Sequence, residues 1–181
     1  MSMEPRSAVL RLAPYQQGQS DIAGVAEPIK LSSNESSHGP SPAAIEAYHN
    51  AGASLHRYPD GSQHALRHAI AQVHQLNPDN IICGNGSDEL IQLMVRAYVG
   101  DGHQSLLSEN GFVMSRIHSI SQGAEVVIAP ETHYRVDVDA LLARVTQRTR
   151  FCTVANPNNP TGTYITASEL DRLHRGLPDN C

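Results

Sequence analysis

Three short stretches hold the residues best able to do chemistry. The first is CGNGSDE at residues 83–89. Its glycines let the backbone turn tightly, so the N–H groups of Gly86, Ser87 and Asp88 can face one point. The Ser87 hydroxyl adds a donor, and the positive end of a following helix favours an anion there. The plainer alternative is a helix start capped by Ser87 or Asp88. No GK[ST] follows and the spacing is not GxGxxG, so neither nucleotide fingerprint applies. The second stretch is NPNNPTG at residues 156–162. Two prolines and a glycine hold such a loop in one shape and present its Asn side chains rigidly. The alternative is a turn with no ligand. The third is Phe112, one of two Phe in a chain without Trp. Its ring can stack on a planar group or simply fill the core. An anion cup, a ring stacker and a rigid amide together describe a site for a phosphorylated aromatic cofactor.

These residues need elements to position them. Residues 1–30 show no sustained periodicity and read as an arm, and residues 31–42, rich in Ser, Asn, Gly and Pro, read as a loop. Ser41-Pro42 opens a helix to about residue 53, and Leu66, Ile70 and Val73 mark a second over about 62–76. From residue 77 a rhythm begins. Strands are expected at 80–83, 104–107, 125–129 and 150–155. Helices are expected after residue 88, over 112–122, over 138–145 and from Thr166, where Glu169 completes a capping box. Strands alternating with helices indicate an α/β domain with a largely parallel sheet. All three chemical stretches then follow strands, at the edge where open parallel sheets hold their ligands. Cys83 and Cys152 fall on strands as buried thiols. The run at 177–181 reads as the approach to one more strand, so the chain reads as a fragment.

Composition narrows the classes. The 181 residues carry 13 basic and 18 acidic side chains, a net charge of -5, with 40% hydrophobic residues. That is an ordinary globular balance. No basic run suggests nucleic acid or an anionic membrane as partner, and no apolar stretch approaches the ~20 residues of a membrane span. Three widely spaced cysteines without CxxC argue for a reducing cytoplasm rather than a disulfide framework or a zinc site. Of ten histidines only His64 and His68 share a helix face, with neither HExxH nor a third ligand at helical spacing, so no metal is expected. His118 is one of the scattered remainder.

The order and spacing of four stretches resemble one family along nearly the whole chain from Leu10. KLSSNESSHGPSP at 30–42, RYPDG at 57–61, NIICGNGSDE at 80–89 and NPNNPTG at 156–162 look like the N-terminal half of a fold-type I pyridoxal-phosphate aminotransferase. Within that fold type the chain resembles the histidinol-phosphate aminotransferase group. The resemblance implies a three-layer αβα large domain, incomplete here, over residues 51–181, preceded by an arm and small-domain segment over 1–50. It implies that Gly86, Ser87 and Asp88 hold the 5′-phosphate of pyridoxal phosphate, that Phe112 stacks on its ring and that Asn159 donates to the ring hydroxyl. Tyr58 would reach the phosphate bound in the neighbouring subunit of a homodimer. Tyr15 and Asn34 match positions near the substrate, although an Asn-Glu-Asn-Pro loop is common there and Asn34-Glu35-Ser36-Ser37 stands here.

The implied reaction passes an amino group from L-histidinol phosphate to 2-oxoglutarate. The family's pyridine-pairing Asp, Schiff-base Lys and anion-gripping Arg fall beyond Cys181, and the only lysine, Lys30, lies in the entry segment. The chain alone is therefore expected to be inactive and marginally stable. The alternatives are an aromatic amino acid aminotransferase or related pyridoxal-phosphate lyase, and a non-catalytic relic or partner module.

Overall fold

The computed structural model describes residues 4–16 and 18–181, so residues 1–3 and 17 of the expected arm lie outside the described residues. It divides into two compact units. One comprises Pro14–Ile82, the other the described part of Met1–Ala13 with Cys83–Cys181.

In the Pro14–Ile82 unit, helix α2 spans Pro42–Ala51 and α3 spans His64–His74. Ser41 Oγ accepts from the Ala44 N–H at 3.2 Å and Pro42 takes the first helical position, as the sequence suggests. The Arg67 guanidinium fastens α3 to the following turn by donating to the Pro78 carbonyl from Nε at 3.0 Å and Nη2 at 2.6 Å.

The other unit holds α1 (Ser7–Leu10), α4 (Gly86–Tyr98), β1 (Gln104–Ser108), α5 (Val113–Ser121), β2 (Glu125–Ala129), α6 (Val138–Leu142), β3 (Thr149–Thr153) and α7 (Ala167–Gly176). The sheet order is β2-β1-β3 and both pairings are parallel. β1 is therefore central, and all five of its residues are buried. Successive side chains on a strand point to opposite faces. Cys152 accordingly packs with Leu106, Leu141, Ile165 and Leu173 on the α6–α7 side, while its neighbour Phe151 packs with Val95, Val99 and Ala124 on the α4 side. These three layers are the α/β architecture expected.

Residues 80–83 are not a strand. A turn of 3-10 helix occupies Pro78–Asn80, and Ile82 beyond it is 78% exposed. A strand exists only through a ladder partner, and no described strand pairs with this segment. Cys83 consequently lies outside the sheet and is half-buried. Cys152 does sit on β3, and burial pushes its thiol up to about 12. Helix α6 is shorter than the sequence suggests, yet Leu141 is fully buried, with Leu142 and Val145 packed beside it. Among the described residues no helix is long and apolar enough to cross a membrane.

Candidate functional site

Helix α4 starts without a side-chain cap, so the alternative in which Ser87 or Asp88 caps it is not what forms. Gly86 sits at φ +82°, a conformation costly to any residue with a Cβ. Its N–H donates to the Gly84 carbonyl at 2.8 Å. The outward donors of this turn are thus the first-turn amides of Ser87 and Asp88, which have no intrahelical partner. Both residues are exposed, and the space in front of Gly86 is open. Glu89 holds the loop from behind, its Oε2 accepting from the Asn85 N–H at 2.6 Å. Gly84 makes this possible, because a Cβ there would lie 2.8 Å from Glu89 Oε2. Asp88 Oδ1 lies 2.9 Å from His118 Nε2 on α5.

The loop after β3 distributes its three asparagines differently. Asn156 closes the loop on itself, donating to the Ile165 carbonyl at 3.2 Å and accepting from the Ile165 N–H at 3.0 Å. Asn158 is only 4% exposed and donates to Thr161 Oγ1 at 2.9 Å and to the Asn110 carbonyl at 3.3 Å. Asn159 is half-buried, and its side chain makes no hydrogen bond to any described residue. The peptides Asn156-Pro157 and Asn159-Pro160 are cis.

Phe112 is half-buried at the residue before α5. The loop that carries it is held by Glu131, whose carboxylate accepts from Asn110 N and Nδ2, both at 3.1 Å. Glu131, Asn110 and Asn158 therefore tie together the loops after β2, β1 and β3 along the carboxyl edge of the sheet. Sequence reading missed all three as site-builders. The only local signal was the placement of Asn and Glu just after strand ends.

The loops after β1 and β3 can present a flat ring and a free amide along this edge, whereas the turn before α4, which follows no strand, offers an open anion site of its own. Tyr15, Asn34 and Tyr58 belong to the Pro14–Ile82 unit, where all three are exposed and Tyr58 wholly so. Lys30 belongs there too, its Nζ paired with Glu35 Oε1 at 2.8 Å. His64 and His68 stack with ring centroids 4.0 Å apart, and no group of three His, Cys, Asp or Glu able to hold a metal forms among the described residues.

Comparison with known proteins extends the geometry. Residues 26–178 match the family model described as aminotransferase class I and II. A histidinol-phosphate aminotransferase of Dinoroseobacter shibae is 50% identical over 177 residues, 98% of this chain and 49% of the relative. One from Rhodospirillum centenum is 48% identical over 174 residues, 96% of this chain and 48% of the relative. The crystal structure of histidinol-phosphate aminotransferase from Sinorhizobium meliloti, in complex with pyridoxal-5′-phosphate, superposes with a TM-score of 0.77 at 31% identity. That match covers 81% of this chain and 40% of the other. The chain spans about half the length of the curated relatives it matches. With the family model covering most of its residues, the chain belongs to the class I and II aminotransferases.

Proposed function

We propose that a protein of the relatives' length carrying this chain is a pyridoxal-phosphate-dependent transaminase. Its reaction would convert L-histidinol phosphate and 2-oxoglutarate to imidazole acetol phosphate and L-glutamate, in histidine biosynthesis. The observation that carries this reading is the sheet edge itself: Asn159 left unbonded beside two committed asparagines, in a loop tied to the one bearing Phe112. Identity near 50% to histidinol-phosphate aminotransferases supports the substrate.

The residues present fit the cofactor. The open turn before α4 suits a phosphate, with the Ser87 and Asp88 amides and the Ser87 hydroxyl as donors and the Gly86 conformation shaping the turn. Phe112 offers a ring to stack and Asn159 an amide to donate to the ring hydroxyl. When bound, pyridoxal phosphate supplies a carbonyl that takes up the amino group and a conjugated ring that disperses charge. The protein's part is orientation: the turn before α4 would hold the phosphate, and Phe112 and Asn159, on loops that share one hydrogen-bonded network, would hold the ring. Tyr58 would add a donor from a neighbouring subunit of a homodimer, and Tyr15 and Asn34 would lie near the substrate. The lysine that bonds the cofactor and moves the proton would come from residues outside this chain, because its only lysine, Lys30, lies in the entry segment and not where the resemblance places that residue. On this reading the 181-residue chain alone is inactive, residues 51–181 belong to the cofactor-binding domain, and the protein works in a reducing cytoplasm.

The test is the rate of glutamate formation by the full-length protein from L-histidinol phosphate and 2-oxoglutarate, with aromatic amino acids as competing donors. Activity is expected with L-histidinol phosphate, and Asn159→Ala should lower kcat at least about tenfold. Preference for aromatic donors would overturn the substrate assignment, and an unchanged rate in Asn159→Ala would remove Asn159 from the site.

A further inference from the structure

Asp88 poses a problem for an anion cup, since it places a carboxylate in the turn that must receive a phosphate. An acidic side chain in the first turn of a helix is itself drawn to the open N–H groups and the positive end of the dipole. Left to itself, Asp88 would compete with the phosphate and repel it. His118 answers this. Its side chain is only 12% exposed, it stands on α5 packed beside α4, and its Nε2 is 2.9 Å from Asp88 Oδ1. An ionised carboxylate only accepts, so Nε2 carries the hydrogen and donates it.

We propose that His118 is a positioning residue for the phosphate cup. It anchors the Asp88 carboxylate to α5, leaving the Ser87 and Asp88 amides to the ligand. The inference rests on the reading of this turn as the cofactor phosphate site. On this reading His118 acts on the cup through Asp88, the contact its Nε2 makes.

The experiment is equilibrium titration of the full-length apoprotein with pyridoxal phosphate and, separately, with pyridoxal, which lacks the phosphate. His118→Ala should bind pyridoxal phosphate about tenfold more weakly and pyridoxal unchanged. His118→Phe fills the same space without a donor and should show the same selective loss, which separates it from a folding defect. Adding Asp88→Ala to either variant should recover affinity to within about twofold, because the competing carboxylate is then gone. Equal weakening for both ligands, no weakening at all, or no recovery in the double variant would each overturn the role of His118. Equal affinity of the unaltered protein for pyridoxal phosphate and pyridoxal would instead remove the phosphate reading of the turn, and the inference with it.

Discussion

The side chain of Asn158 runs from the loop after β3 to the loop after β1, with Nδ2 donating to Thr161 Oγ1 and the Asn110 carbonyl. Burial raises the stakes of those bonds, since removing one partner strands the other away from water. Asn158→Ala in the full-length protein should therefore cost about 1–3 kcal/mol of stability. It should also weaken pyridoxal-phosphate binding through the displaced loop, although Asn158 is not assigned to the cofactor. Urea unfolding and cofactor titration check the two effects, and a variant unaltered in both would show that the bridge positions nothing. Composition could not separate the three asparagines of NPNNPTG. Family resemblance singled out Asn159, but the commitment of Asn156 and Asn158 depends on Ile165 and Asn110, the latter 48 residues away.

Helix α7 shows how far local chemistry reaches. Thr166 and Glu169 form the expected capping box. Glu169 also pairs with Arg135 Nη2 at 2.5 Å, a partner contributed by the loop after β2. The Arg135 hydrogen bond, followed by those from Thr166, lowers the Glu169 carboxyl from its ordinary value near 4.5 to about 2. A lowered folded-state value means that the unfolded chain binds the proton more readily, so stability rises with pH through this window. The contribution is complete above about pH 4.5 and is lost as pH falls toward 2. Glu169→Gln should flatten that part of the acid-unfolding profile, followed by circular dichroism; an unchanged profile would exclude the pair as an acid-sensitive contact. Residues 80–83 teach the opposite lesson. Their apolar run reads as a strand, yet strand formation is a property of pairs, and the local sequence does not contain the partner.

At the scale of the whole molecule, apolar surface remains uncovered. In the unit containing the sheet, Leu93 is 49%, Met94 45% and Tyr98 69% exposed on α4. Met94 and Tyr98 line a groove with Phe151, Cys152 and Leu177, beside strand β3 at the edge of the described sheet. An open strand edge next to apolar side chains invites association. The 181-residue chain alone should bind hydrophobic dye and melt broadly, while a protein of the relatives' length should melt sharply with little dye bound. A cooperative, dye-free melt of the chain alone would refute this.

Sequence alone determined what is local or periodic: the helix starts at Ser41 and Thr166, the three paired strands, and the glycine and proline turns that follow two of them. These depend on backbone preferences and on contacts within a few residues. Motif order along the chain also determined the family. Tertiary structure decided what depends on distant neighbours: that 80–83 lacks a ladder, that Glu131 and Asn158 bind the strand-end loops, and that His118 meets Asp88 across 30 residues. Hydrogen bonds and burial are pairwise quantities, and the fold chooses the pairs.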